Sequence, residues 1–140
     1  MRTRPTLVAI SAAQLAAGAA GQRVALRDER YFAIALIGWR GQTERMHRDR
    51  WLLGTGLSAP VVMLTAQGVA TIRLAAGPSQ SATRMLGLLG AVMACGYLVE
   101  LEFRRALSPG GWDPAATPIA AAGFALALAM AGLAARTSEV

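Results

Sequence analysis

The stretch PAATPIAAAGFALALAMAGLAA, residues 114–135, has no charged side chain over 22 positions. A second uncharged stretch of the same length, WLLGTGLSAPVVMLTAQGVATI, occupies residues 51–72. A helix needs about 20 mostly apolar residues to cross the hydrocarbon core of a membrane. A soluble protein with two fully buried helices is the alternative, but a chain of 140 residues leaves little polypeptide to cover them. The two runs therefore predict an integral membrane protein.

Two weaker apolar runs lie at residues 5–21 and 85–103. The first is rich in alanine and is interrupted by Gln14; its basic start and its small residues at 17–19 are also typical of a cleavable signal peptide. We expect a retained helix. The predicted fold class is thus all-α, a single membrane domain over residues 1–140 in which four transmembrane helices form a small bundle. The predicted spans are 5–21, 51–72, 85–103 and 118–135.

The segment 22–50 between the first two spans is rich in arginine. It contains seven of the 14 basic residues, and the chain has no lysine. Within it lies YFAIALIGW, residues 31–39, bracketed by Tyr31 and Trp39. Nine helical residues reach only about 13 Å, too short to cross a membrane. Aromatic residues favour the membrane interface, so this run predicts a short interfacial or re-entrant helix.

The distribution of arginine predicts the orientation, because cytoplasmic loops carry an excess of basic residues. With the segment 22–50 in the cytoplasm, nine arginines lie on that side and five on the other. This arrangement places both termini outside a multi-pass protein of the cell membrane, although Arg2 and Arg4 oppose it. The pI of about 11.2 then indicates contact with anionic lipid headgroups, and no nucleic-acid partner is expected.

The third span ends in GYLVELEFRR, residues 96–105, which places two carboxylates close to its end. If the helix continues to residue 103, Glu100 lies about one turn inside the membrane edge and pairs with Arg104, and Glu102 pairs with Arg105. Residues two apart point to opposite sides of a helix, so the glutamates do not form a catalytic dyad. A structural role as interfacial ion pairs is one interpretation. The other is functional, because intramembrane carboxylates usually face a cavity or a partner.

The functional interpretation gives a specific set of site residues. The catalytic candidates are Glu100, Tyr97 and Arg104, and the substrate-binding candidates are Thr55, Ser58, Gln14 and Met93. Partial desolvation raises the pKa of a carboxyl group and a neighbouring arginine lowers it, so Glu100 is suited to exchanging a proton. No cofactor is expected. No metal site is expected either, because the single histidine, His47, has no second histidine or cysteine at ligand spacing.

Three classes of function are compatible with these residues. The first is a membrane protein that binds or converts a hydrophobic small molecule, such as a lipid, isoprenoid or polyketide, by acid/base chemistry at Glu100; as an enzyme it would be of isomerase or cyclase type. The second is a non-catalytic accessory or assembly protein, a homo-oligomer or partner of other membrane proteins, that packs through small-residue helix faces. The third is a transporter or channel subunit. The proposed small-residue faces comprise Gly54, Ser58, Val61, Thr65 and Gly68 on one helix and Gly87, Ala91 and Ala94 on the next.

Overall fold

The computed structural model of the chain describes residues 3–29, 33–34, 38–40, 43–45, 48, 51 and 58–138. Over these residues the fold is helical, in agreement with the predicted all-α class. Its α-helices are α1 (Thr3–Arg27), α2 (Val61–Ala76), α3 (Gln80–Val99), α4 (Leu101–Ala106) and α5 (Ala116–Ser138). The remaining elements are a 3-10 turn (Thr43–Arg45) and two strands of two residues each, β1 (Ala33–Ile34) and β2 (Trp39–Arg40).

The first two helices begin and end away from the predicted positions. α1 continues to Arg27, beyond the predicted limit of residue 21, because arginine is a good helix former and Ala25 is fully buried. α2 begins at Val61, because Pro60 has an extended backbone with φ −54 and ψ 144. The predicted start of the span at residue 51 is therefore wrong for the described residues 58–60, which precede the helix. Residues 52–57 of that span lie outside the described residues.

The predicted third span, 85–103, is also wrong in its bounds. α3 begins earlier, at Gln80, where the Ser79 side chain accepts a hydrogen bond from the Ala82 backbone N–H at 3.3 Å. It ends at Val99, because Glu100 is extended with φ −77 and ψ 125, and the six-residue α4 follows. The 12 residues between the predicted second and third spans, 73–84, are mostly helical, and only residues 77–79 lie between α2 and α3. The predicted fourth span, 118–135, lies within α5.

The predicted interfacial helix at 31–39 is wrong for the part that the structure describes. Ala33 and Ile34 form an extended strand that pairs antiparallel with Trp39 and Arg40. Gly38 at the turn has a φ of 63, a left-handed conformation that glycine adopts without strain. Residues 31, 32 and 35–37 lie outside the described residues. A short apolar run between turn residues suits a strand as well as a helix, and here the strand is formed.

Helix contacts give the chain two distinct ends. α5 packs against α1 and α3, and α2 packs against the same two helices. Hydrogen bonds join Ser11 to Gln67 and Gly18 to Ser58, so α1 and α2 are antiparallel. The start of α1, the end of α2, the start of α3 and the end of α5 therefore meet at what we call the Ser79 end. The opposite ends of these helices meet with α4 at the Glu100 end.

Small residues bring α3 and α5 close together, through a face that only partly matches the predicted one. A Cβ at Gly90 would lie 2.7 Å from the Ala127 carbonyl oxygen, and one at Gly87 would lie 2.8 Å from the Ala134 Cβ. Ala94 is buried, but Ala91 is exposed. On α2 the prediction is wrong. Thr65 is exposed, Gly68 has nothing within 4 Å of its Cβ position, and the buried residues are instead Gln67, Ala70, Thr71 and Leu74.

Beside an apolar core, the fold buries several polar side chains and exposes several large apolar ones. Gln14, Gln67 and Ser11 are fully buried, whereas Ile72 is 70% exposed and Leu88 is 63% exposed. Two helices, α3 and α5, are long and apolar enough to cross a membrane, and only 39% and 28% of their most apolar windows are buried. The core helix of a soluble protein would be mostly buried. The apolar surfaces of both helices are therefore suited to contact with lipid.

Candidate functional site

The break between α3 and α4 places Glu100 at the Glu100 end of the fold. Its backbone N–H still donates to the Gly96 and Tyr97 carbonyl oxygens, at 3.1 and 3.3 Å, and so completes α3. Its own carbonyl oxygen accepts from the Arg104 N–H at 3.2 Å, which begins α4. Glu100 therefore lies at the junction of two helices, directly after the last residue of α3. The expectation that it lies one turn inside a continuous helix is wrong.

The Glu100 side chain joins this junction to the segment that follows α1. Its Oε1 accepts a hydrogen bond from the Ala33 backbone N–H at 2.8 Å, between residues 67 positions apart in the chain. The carboxyl group is half-buried, and this desolvation raises its pKa from 4.5 to about 7. Backbone N–H groups of Ala33, Glu102 and Leu101 oppose the shift, and the charge of Glu102 adds to it. The group therefore gains and loses a proton near neutral pH.

Arg104 does not pair with Glu100 as the sequence predicts. The pairing needs one continuous helix from 100 to 104, and the extended backbone at Glu100 removes it. Within the described residues no salt bridge reaches the Glu100 carboxylate, and Arg104 is exposed. The Glu102–Arg105 pair is present, with the Arg105 Nη1 atom 3.1 Å from the Glu102 Oε1 atom. Glu102 is thus paired with Arg105, whereas Glu100 accepts a hydrogen bond from a backbone N–H.

Tyr97 lies one turn before Glu100, but its ring is part of a packed aromatic cluster. Its centroid is 5.1 Å from that of Phe103 and 6.1 Å from that of Phe124. The side chain is only 7% exposed, and a Cβ at Gly123 would collide with its hydroxyl oxygen. This cluster fixes α4 against α3 and α5. The structure therefore gives Tyr97 a packing role beside Glu100.

The predicted substrate-binding residues fall into separate places. Gln14 and Met93 meet in the core, where the Gln14 Nε2 atom lies 3.4 Å from the Met93 sulfur. Ser58 is buried and donates to the Gly18 carbonyl oxygen at 2.9 Å, which joins the segment before α2 to α1. Thr55 lies outside the described residues. The structure thus brings Gln14 and Met93 together, and no contact joins either of them to Glu100.

A second set of polar residues was missed from the sequence. Three of these residues, Ser11, Gln67 and Thr71, are buried between α1 and α2 and form hydrogen bonds with one another. The available signal was spacing: Ser11, Gln14, Gly18 and Gln22 recur every three or four residues on one face of α1. The partner face on α2 carries Gln67 and Thr71, one turn apart. A polar face on an otherwise apolar helix indicates that the face is turned toward another helix.

Two further features limit the chemistry that the described residues can perform. Within the described residues, no group of three or more His, Cys, Asp and Glu side chains is placed to hold a metal ion; His47 lies outside them. A cleft of about 270 Å³ lies at the Ser79 end, lined in part by Arg4, Ser79 and Thr137. The 20 residues of α3 put it about 30 Å from Glu100. The cleft and the Glu100 carboxyl therefore cannot act on the same small molecule.

Among the residues that the structure describes, Glu100 is the carboxyl group whose burial raises its pKa to about 7, and it directly follows α3, a helix long and apolar enough to cross a membrane. Comparison of the chain with protein-family models, with curated proteins and with solved structures gives no match.

Proposed function

We propose that this chain is a small multi-pass protein of the cell membrane that binds a hydrophobic small molecule beside Glu100. The molecule is of the lipid, isoprenoid or polyketide class, and it enters from the inner leaflet. The observation that carries the proposal is the Glu100 carboxyl: half-buried, held by the Ala33 N–H, and without a salt bridge from the described residues. Such a group presents a protonated, weakly solvated acid to a ligand at one pH and a carboxylate at another.

The four-span arrangement is part of this proposal. α3 and α5 supply the two spans with the longest apolar windows. α1 and the shorter apolar α2, which covers about 24 Å, run antiparallel beside them. Polar side chains of α1 and α2 hydrogen-bond to each other in the interior, whereas Val62, Val69 and Ile72 of α2 are exposed, an arrangement that lipid favours. The four helices then form one bundle embedded in the membrane.

The proposed orientation places the Glu100 end in the cytoplasm. Arg23 and Arg27 of α1, together with Arg104 and Arg105 of α4, lie at this end, and the start of α1 and the end of α5 lie at the Ser79 end. The exposed guanidinium groups of Arg104 and Arg105 then meet anionic headgroups of the inner leaflet. The Glu100 carboxyl lies directly after the α3 span, at the depth where apolar chains and headgroups meet.

Apolar side chains suited to an apolar ligand flank Glu100 along the chain. Leu98 precedes it, and Leu107 and Trp112 follow it; all three are more than half exposed. Tryptophan is enriched at membrane interfaces because its ring is both apolar and polar. In this proposal these side chains contact the body of the ligand, and Glu100 contacts its polar group. The single proton of Glu100 is also enough for an isomerisation, in which the same group accepts and returns a proton.

A non-catalytic assembly role is the second candidate, and the packing of Tyr97 favours it. The ring is enclosed by Phe103 and Phe124, and its hydroxyl lies against Gly123, so it is not presented to a ligand. In that role, Glu100 acts only through its hydrogen bond to Ala33, which fixes the segment after α1. The two candidates therefore differ in whether ionisation of Glu100 matters.

Native mass spectrometry of protein released from membranes in a mild detergent tests the proposal. We expect wild type to retain a bound apolar molecule, and Glu100→Gln to retain at least tenfold less, because the amide can accept the Ala33 N–H but cannot ionise. Glu102→Gln is the matched control and should behave as wild type. Equal adducts on all three proteins, or none on wild type, would favour the assembly role.

A further inference from the structure

The interface between α1 and α2 contains a line of buried polar side chains, which we call the polar seam: Ser11, Gln14, Gln22, Ser58, Gln67 and Thr71. On α1 it extends from Ser11 to Gln22, about 16 Å along the helix axis. Gln14, Gln67 and Ser11 are fully buried, and the others are at most 9% exposed. The seam is distinct from Glu100 and does not depend on the function proposed for it.

The direction of the hydrogen bonds in the seam can be assigned. Thr71 donates its hydroxyl proton to the Gln67 carbonyl oxygen at 2.7 Å. The Ser11 hydroxyl must then be the donor in its 2.7 Å contact with the Thr71 oxygen, since a hydroxyl has one proton. The Gln67 amide Nε2 donates to the Ser11 carbonyl and hydroxyl oxygens, each at 3.0 Å. Both hydroxyl protons are therefore committed within this cluster.

Three acceptors in the seam lack a donor. The Oε1 atoms of Gln14, Gln22 and Gln67 are buried, and none has a hydrogen-bond partner in the described part of the chain. For Gln22 and Gln67 the amide cannot be turned to correct this, because the Nε2 atoms donate to the carbonyl oxygens of Ala59 and Ser11. A buried amide oxygen without a donor loses its hydration without compensation. The seam is thus rich in acceptors and needs donors.

We infer that the polar seam binds ordered water molecules, which donate hydrogen bonds to the amide oxygens of Gln14, Gln22 and Gln67. Buried water occurs about once per 27 residues and makes about three hydrogen bonds to polar groups that are otherwise unpaired, so a few such waters suit a chain of 140 residues. A cation suits the seam less well, because its side chains are all neutral and burial of a charge without a counter-charge is costly. On this inference the water molecules lie between the packed helices, beside the three amide oxygens.

Radiolytic hydroxyl-radical labelling of the full chain in detergent tests this inference. X-rays convert bound water into radicals that oxidise adjacent side chains, and the thioethers of Met93 and Met130 contact the Gln14 and Gln67 amides at 3.4 and 3.7 Å. Both methionines are at most 3% exposed. We expect each to be oxidised at least tenfold faster than Phe103, which is equally buried outside the seam, after each rate is divided by its rate in unfolded protein.

Matched variants locate the water. Gln14→Leu removes the amide beside Met93 and should lower Met93 oxidation several-fold. Thr65→Val makes a similar polar-to-apolar change at an exposed position and should have no effect. If Met93 and Met130 in wild type are oxidised no faster than Phe103, the seam holds no water and the inference is overturned. The inference would also be overturned if Na⁺ or K⁺ raised the melting temperature of wild type more than choline does, and Gln14→Leu abolished this difference. That result would favour a bound cation.

Discussion

The raised pKa of Glu100 makes the stability of this protein depend on pH in a specific direction. The folded-state pKa, about 7, exceeds the unfolded value of 4.5, because burial disfavours the carboxylate. The folded protein therefore binds more protons than the unfolded chain between these values. The contribution of Glu100 to the free energy of unfolding should therefore be largest below about pH 4.5. It should fall as the pH rises from 4.5 to 7 and stay constant above that.

The size of this effect on the free energy of unfolding follows from the size of the Glu100 pKa shift. Each pKa unit corresponds to about 1.4 kcal/mol, so a shift from 4.5 to about 7 gives an upper limit of roughly 3.5 kcal/mol. Because the carboxyl is only half-buried, solvent screening reduces the contribution, and we expect about 1–2 kcal/mol. Glu100→Gln removes the ionisation and should remove the same amount of pH dependence. At pH 8 the variant should be more stable than wild type by about 1–2 kcal/mol, and near pH 4.5 the two should be equal.

Chemical unfolding in a mild detergent, followed by circular dichroism from pH 4.5 to 8.5, measures the difference between the two proteins at each pH. Taking this difference cancels the titration of other groups. Glu102→Gln is the control: it loses an exposed ion pair with Arg105, worth about 0–1 kcal/mol, and should keep most of the wild-type pH dependence, because the charge of Glu102 raises the pKa of Glu100 less than burial does. A difference between wild type and Glu100→Gln that stays constant with pH would refute the reasoning.

Three further predictions concern topology and packing. In a cysteine-free background, Ser81→Cys should react with an impermeant thiol reagent added outside intact cells and Ser108→Cys should not; the opposite pattern would invert the orientation. Gly90→Ala should lower stability by about 1–3 kcal/mol, because the new Cβ would meet the backbone of α5. Gly96→Ala should raise stability by about 0.5–1 kcal/mol, because nothing lies within 4 Å of the new Cβ. Thermal unfolding of the two variants tests both expectations. Asp113→Ala should cost about 1 kcal/mol in the same assay, because the carboxylate accepts from the first N–H groups of α5.

The helix α5 could be predicted from the sequence, because its uncharged composition favours a span and nothing interrupts it, whereas Pro60 interrupts the other uncharged run. The uncharged run 114–135 lies almost entirely within α5, which begins at Ala116. The end of α1 was predicted too early, because the charges of Arg23 and Arg27 indicate a segment outside the membrane. Arginine also favours helices, and α1 continues through both residues. Charge indicates where a membrane span ends, and helices often continue past that point into water.

The break at Glu100 could not be predicted, because glutamate is a good helix former and nothing nearby in the sequence interrupts the helix. The extended backbone there accompanies a contact with Ala33, which lies 67 residues away. The loss of the Glu100–Arg104 pair follows from the same break. The polar seam was missed for a related reason: pairing Ser11 with Gln67 and Thr71 needs the register between α1 and α2, which only the packed structure supplies.

We propose above all that Glu100 exchanges a proton near neutral pH at the end of α3, a helix long and apolar enough to cross a membrane. Carbon-13 NMR titration of the glutamate side-chain carboxyl groups, in protein held in lipid nanodiscs, tests it directly. The account predicts one resonance with a midpoint near pH 7, absent in Glu100→Gln and retained in Glu102→Gln. A spectrum in which every glutamate titrates near its ordinary pKa of about 4.3 would contradict it.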